Sequence, residues 1–103
     1  RFYRSLGMLL RGGIPMLAAL GMVRELLTGA MRQRLEQVTA RVGEGLALSR
    51  ALETNGLVTP VALKMLRAGE RSGNLGEMLE RAADFYDEEI DTTIEAVGDF
   101  FGN

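Results

Sequence analysis

A stretch of ten residues, 66–75, constrains the fold more than any other part of the chain. It reads Leu-Arg-Ala-Gly-Glu-Arg-Ser-Gly-Asn-Leu, with two glycines four residues apart. Glycine costs about 1 kcal/mol relative to alanine inside a helix and adopts left-handed backbone conformations easily. Because apolar segments closed by glycine precede this stretch and a long helical pattern follows it, the sequence predicts a tight corner between two helices. The corner motif comprises Gly69, Glu70, Ser72, Gly73 and Leu75.

Glu70 is the corner residue that most needs a partner. A carboxylate at the C-terminal end of a helix is unfavourable by about 0.3–1 kcal/mol, because it meets the negative end of the helix dipole. We expect Glu70 to accept from the N–H groups that open the next helix, or to pair with an arginine such as Arg71 or one brought in by tertiary packing. Either contact would lock the interhelical angle. The alternative is an exposed turn residue with no partner.

The composition favours an all-α fold. Good helix formers dominate, whereas two prolines and few β-branched residues argue against a sheet. The 103 residues suffice for one domain with a modest core, and no apolar run approaches the roughly 20 residues that cross a bilayer. We expect residues 1–103 to form a single domain, a six-helix antiparallel up-and-down bundle with a long C-terminal helix.

Apolar residues recur at helical spacing in six segments. These segments cover roughly residues 2–11, 15–27, 31–42, 48–53, 61–68 and 75–101. Thr59 before Pro60 is a strong start signal for the fifth helix. The second segment is apolar almost all round, which predicts a central core helix. A membrane-inserted segment is the less favoured interpretation, because the segment is short and Arg24-Glu25 follows its apolar run.

Charge divides the chain into unlike halves. Residues 1–52 carry eight arginines and three glutamates, whereas residues 53–103 carry four basic and eleven acidic residues. The halves should therefore attract each other or present surfaces of opposite sign to partners. Much of the acidic charge forms a stripe on the last segment, composed of Asp84, Glu88, Asp91 and Glu95 with Glu80 and Asp87 beside it.

The acidic stripe has two interpretations. It is a solvated face, or one neutralised by arginines of the first three helices, which we favour. Otherwise it is a docking surface for a basic partner, formed by Asp84, Asp87, Glu88, Asp91 and Glu95, or a weak site for a divalent cation at Asp84, Asp87 and Glu88.

Catalysis and nucleic-acid binding are both disfavoured. The chain has no His and no Cys, and its paired carboxylates lie along one helix rather than across a cleft. It has no glycine-rich phosphate loop. Arg32, Arg34 and Arg41 could meet phosphates, but the pI is about 5.1. We therefore predict no catalytic residue, no cofactor and no nucleic-acid partner.

Several runs, in order and at matching spacing, carry a resemblance to a known family. The first run is Phe2-x-x-x-Leu6-x-x-Leu9-Leu10-x-x-Gly13-Ile14-Pro15-x-x-x-Ala19-Leu20. The second is Val42-x-x-Gly45 with Leu48-x-x-Ala51-Leu52. The third is Met65-Leu66-x-x-Gly69-Glu70-x-Ser72-Gly73-x-Leu75 with Leu79-x-x-Ala82-Ala83-x-Phe85-Tyr86. Over nearly its whole length the chain resembles the cytoplasmic domain of the type II secretion F and type IV pilus PilC platform proteins.

The chain departs from this family at two places. Ala47 and Arg50 replace the serine and the acid that often form a capping box, so we expect a frayed start of the fourth helix at a cost near 1 kcal/mol. Val58-Thr59 replaces a frequent Phe-Pro, which leaves a smaller apolar anchor before Pro60.

The resemblance implies a fragment of a polytopic protein at the cytoplasmic face of the bacterial inner membrane. This fragment would be one of two repeats, and the run Ala83-x-Phe85-Tyr86-x-Glu88-Glu89 favours the second. The implied partners are the assembly ATPase and other machinery proteins, and a homodimer is a further expectation. Two alternatives stay open: a soluble helical adaptor that binds a basic partner through the acidic stripe, and a cation-regulated dimerisation domain.

Overall fold

The computed structural model describes residues 1–85, and in that range the chain is entirely helical outside its turns. The helices are α1 (Phe2–Arg11), α2 (Met16–Val23), α3 (Gly29–Gly43), α4 (Leu48–Thr54), α5 (Pro60–Ser72) and the helical residues 75–85, here α6; a 3₁₀ turn, Arg24–Leu26, follows α2. The predicted all-α bundle of six helices is confirmed. The predicted length of the last helix concerns residues 86–103, which lie outside the described residues.

Helix α5 shows how local sequence sets a boundary. Its N-terminus follows the prediction, because the Thr59 hydroxyl accepts from the Ala62 N–H and Pro60 occupies the first turn. Its C-terminus lies four residues beyond the predicted Ala68. Gly69 therefore lies inside the helix, and Gly73 ends it.

The core draws on every helix of the described chain. The large side chains buried in it include Phe2, Tyr3, Leu6, Leu20, Leu35, Leu52, Leu66 and Leu79. The Tyr3 hydroxyl donates to the Leu57 carbonyl oxygen at 3.3 Å, which ties α1 to the turn between α4 and α5. Buried tyrosines usually satisfy their hydroxyl in this way.

Helix α2 is not the central core helix that its composition predicts. Only Ala19, Leu20 and Val23 are buried, whereas Leu17 is 48% and Met22 is 54% exposed. The helix packs against α1 and α3 with one side and leaves the other apolar side open. A helix that is apolar all round can therefore lie at the edge of a bundle. Within residues 1–85, no helix is long and apolar enough to span a membrane.

Helices α1 and α6 cross with their backbones in contact. A Cβ added to Gly7 would lie 2.7 Å from the Gly76 carbonyl oxygen, and one added to Gly76 would lie 3.0 Å from the Gly7 carbonyl oxygen. Only residues without a side chain allow this approach. The last helix is thus held on α1.

Candidate functional site

The corner between α5 and α6 is closed by a left-handed glycine. Gly73 has φ 74° and ψ 22°, and its N–H donates to the Gly69 carbonyl oxygen. The Asn74 N–H donates to the same oxygen at 3.0 Å. This geometry terminates α5 and satisfies one of the carbonyl groups that a helix end leaves unpaired. Ser72 is the exposed last residue of α5, and Leu75, partly buried against the core, begins α6.

Gly69 has a steric role in the same corner. A Cβ at this position would lie 2.9 Å from both the Leu75 Cα and the Met78 Cγ. Contacts below 3.0 Å are essentially absent for real Cβ atoms. The first turn of α6 therefore packs directly on the backbone of α5, and the sharp angle of the corner depends on glycine at position 69 as well as at position 73.

Glu70 binds the fourth helix, not the sixth. Its Oε2 accepts from the Ser49 N–H at 2.9 Å, and its Oε1 accepts from the Ser49 hydroxyl at 2.6 Å. The prediction that Glu70 pairs with the N–H groups that open α6, or with an arginine, is wrong. Ser49 is the second residue of α4, where backbone N–H groups lack intrahelical partners.

This contact compensates for the missing capping box. Ala47 precedes α4 and makes no side-chain hydrogen bond to it. The Glu70 carboxylate takes that place from 21 residues away. The same charge that is unfavourable at the C-terminus of α5 is favourable at the N-terminus of α4. Ser49 is 3% exposed and is the one buried polar residue found within residues 1–85, so the donor side of these hydrogen bonds is shielded from water.

The described part of the acidic stripe is paired with α1. Asp84 accepts from Arg4, and Glu80 lies 2.5 Å from a guanidinium nitrogen of Arg11. The hydrogen bond and charge of Glu80 raise the pKa of Arg11 above its usual value. For these two carboxylates, the expected neutralisation by arginines of the first helices is present. Asp87, Glu88, Asp91 and Glu95 lie outside the described residues, so a docking role and a cation site at Asp84, Asp87 and Glu88 stay predictions.

A second local network stabilises the first turn of α6. The Asn74 side-chain amide donates to Glu77 at 3.2 Å, and Arg81 donates to the same carboxylate at 3.1 Å. The Asn74 hydrogen bond is the larger cause of a lowered Glu77 pKa, and the Arg81 charge adds to it.

An apolar groove that the sequence does not predict lies between α1 and the segment from α2 to the 3₁₀ turn. Its volume is about 310 Å³, and its lining comprises Ser5, Met8, Leu9, Met22, Val23 and Leu26. Met8 is 58% and Met22 is 54% exposed. The signal in the sequence is the apolar excess of the second segment, which is typical of a core helix and of an exposed apolar surface alike.

Comparison with known proteins places this corner and bundle in a family. The model of the type II secretion system protein F family matches residues 2–102. The chain belongs to the type II secretion system protein F family. A type II secretion system protein F from Aeromonas hydrophila is 39% identical over 102 residues, which is 97% of this chain and 26% of that protein.

Pilus proteins are among the relatives as well. A type 4 fimbrial assembly protein PilC from Pseudomonas putida is 32% identical over 96 residues, 92% of this chain and 24% of that protein. A type IV pilus assembly protein PilC from Thermus thermophilus is 34% identical over 91 residues, 87% of this chain and 22% of that protein. The chain thus spans about a quarter of the length of these relatives.

Proposed function

We propose that this chain is a cytoplasmic domain of an inner-membrane platform protein that serves type II secretion or type IV pilus assembly. The observation that carries the proposal is the family match over residues 2–102. Relatives named for secretion and relatives named for pilus assembly match the chain over similar lengths, so the proposal includes both systems. The parent protein would contain two such repeats, with this chain as the second.

The domain would act through protein contacts, without catalysis, by binding the assembly ATPase and other machinery components. The structure supports such a role through two contacts that join pairs of helices. The Glu70 carboxylate joins α4 to α5, and the contact between Gly7 and Gly76 joins α1 to α6. A bundle whose helices are fixed relative to one another can transmit a displacement from one face to another.

The direct test is binding of the purified domain to the assembly ATPase of the same organism. We expect saturable binding in calorimetry and loss of secretion or piliation in cells whose platform protein lacks this domain. The control is the full-length platform protein in detergent, in which neighbouring segments can complete a binding surface that the isolated domain lacks. If neither the domain nor the full-length protein bound the ATPase, the proposed partner would be wrong.

The adaptor alternative has less support. It requires an acidic face that is open to a basic partner, yet Glu80 and Asp84 already pair with Arg11 and Arg4. A partner would have to displace these arginines. The apolar groove between α1 and α2 instead favours the expected homodimer.

Two variants with equally exposed target residues test the homodimer. Met22, in the groove, is 54% exposed, and Val61, on α5, is 52% exposed. We expect Met22→Glu to shift the domain to monomers in analytical ultracentrifugation, because a charge would be buried in an apolar contact. Val61→Glu should leave the self-association unchanged. A monomeric parent domain at high concentration, or equal effects of both variants, would exclude this interface.

A further inference from the structure

A row of basic side chains occupies the solvent-facing side of α5. Lys64, Arg67 and Arg71 follow one another at spacings of three and four residues, and all three are exposed. Residues at this spacing share one face of a helix. With a rise of 1.5 Å per residue, this basic stripe is about 10 Å long. It lies in the half of the chain where acidic residues outnumber basic ones.

Tertiary contacts hold α4, which carries a fourth cation, Arg50, against the helix of the basic stripe. The hydrogen bonds between Ser49 and Glu70 bring the start of α4 to the end of α5. The next residue in each helix, Arg50 and Arg71, is exposed at this end of the helix pair. Further along, Glu53 and Arg67 join the same two helices at 3.2 Å.

Within residues 1–85, little of this positive charge is neutralised. Glu53 pairs with Arg67, and Glu70 is turned inward to Ser49. Within residues 1–85, no ion pair is formed by Arg50, Lys64 or Arg71. By contrast, each basic residue that faces α6 from α1 has a carboxylate partner there, as the pairs Arg4–Asp84 and Arg11–Glu80 show.

We propose that the basic stripe, together with Arg50, is a docking surface for an acidic helical segment of a protein partner. Carboxylates at positions i, i+3 and i+7 of a helix repeat over the same length as the stripe. One such face can therefore meet Lys64 and Arg71 at its two ends and lie along Arg67, which already pairs with Glu53. Val61, which is 52% exposed on the same helix, supplies an apolar anchor next to Lys64. This surface is distinct from the acidic stripe, and the inference does not depend on the proposed secretion function.

Two observations favour a protein over an anionic membrane. Glu53 lies within the basic surface and would face the phosphates of a lipid bilayer, whereas a protein can place a polar or basic group there. The described exposed neighbours on α4 and α5 also include no aromatic residue that would enter a lipid interface.

The test uses a synthetic probe and a matched pair of variants. The probe is a labelled helical peptide of about 18 residues with glutamates at i, i+3 and i+7 of one face in a neutral background. In fluorescence anisotropy at about 50 mM salt, we compare Lys64→Glu/Arg71→Glu with Arg34→Glu/Arg41→Glu on α3. Both double variants change the net charge equally and at a spacing of seven residues, on exposed positions of one helix.

We expect the parent domain to bind this peptide and Lys64→Glu/Arg71→Glu to weaken binding by at least about tenfold. Arg34→Glu/Arg41→Glu should weaken it less than about threefold, and a glutamine version of the peptide should not bind. Circular dichroism controls for folding of each variant. Equal losses in both variants, or no binding by the parent domain, would overturn the proposal. Binding to vesicles that contain phosphatidylglycerol but not to the peptide would show that the surface serves a membrane instead.

Discussion

Single residues in this domain act over long sequence distances, and the contact between Glu70 and Ser49 is the clearest case. The position of Glu70 at a helix C-terminus predicts that its carboxylate needs a donor, but the local sequence does not reveal a donor 21 residues earlier in the chain. An uncapped α4 and an acid without a local partner at the end of α5 are visible separately in the sequence. Only the packed structure shows that each resolves the other.

Replacing Glu70 tests this interpretation. Glu70→Ala leaves the Ser49 N–H and hydroxyl in a buried place without their acceptor, so we expect a loss of about 1–3 kcal/mol in the free energy of unfolding. Ser49→Ala should cost less, about 1 kcal/mol, because the backbone N–H keeps its acceptor. Denaturant unfolding of both variants and the double variant measures the coupling. Glu44→Ala, at an exposed position, is the control, and additive losses would contradict the contact.

Glu77 gives the domain a pH dependence in the acidic range. Its pKa in the folded state lies below the ordinary 4.5, because Asn74 and Arg81 stabilise the charged form. The folded state therefore favours the carboxylate, and this stabilisation is present above about pH 4.5 and is lost as the pH falls through the folded pKa. We expect Glu77→Gln to flatten the decline of the melting temperature between pH 6 and 3. A parallel decline in both proteins would show that Glu77 contributes nothing.

At the scale of elements, helix contacts depend on which glycines lie at crossings. A Cβ on Gly76 would lie 2.7 Å from the Arg11 Cγ and 3.2 Å from the Arg11 backbone nitrogen, whereas a Cβ on Gly21 of α2 would meet nothing within 4 Å. The same substitution, glycine to alanine, should thus change the free energy of unfolding in opposite directions at positions 76 and 21. We expect Gly76→Ala to destabilise the domain by about 1–3 kcal/mol through overpacking, and Gly21→Ala to stabilise it by about 0.5–1 kcal/mol through helix propensity.

Thermal or denaturant unfolding of these two variants gives the measurement. Gly7→Ala should behave like Gly76→Ala, because the two glycines share one crossing. If all three variants were more stable than the parent, α1 and α6 would not be in close contact in solution.

The elements divide into those that local sequence determines and those that packing determines. Periodicity, the Thr59 cap and Gly73 are local signals, and they predicted the helices and the corner. Two features depend on packing against other helices, which local sequence patterns do not specify. They are the continuation of α5 through Gly69 and the exposed side of α2. An apolar helix can face the core or a partner with the same composition, so its position in the bundle could not be predicted.

Among residues 1–85, the ion pairs between the two oppositely charged halves lie between α1 and α6. Of the described ion pairs, Arg4–Asp84 and Arg11–Glu80 connect the first half with the second, while Arg24–Glu36 and Arg81–Glu77 each lie within one half. The predicted attraction between the halves is therefore concentrated at one helix crossing. The same crossing is the one where Gly7 and Gly76 bring the backbones together.

Double-mutant cycles distinguish an ion pair that connects the two halves from one that lies within a single half. The Glu80 side chain is 20% exposed, whereas Glu77 is 45% exposed in its pair with Arg81. Because water screens exposed charges more strongly, we expect a larger coupling between Arg11→Ala and Glu80→Ala than between Arg81→Ala and Glu77→Ala. The Arg11–Glu80 coupling should fall by a smaller fraction in 1 M salt than the Arg81–Glu77 coupling. Equal couplings that both vanish in salt would mean that the glycine crossing alone, without these charges, holds the last helix on α1.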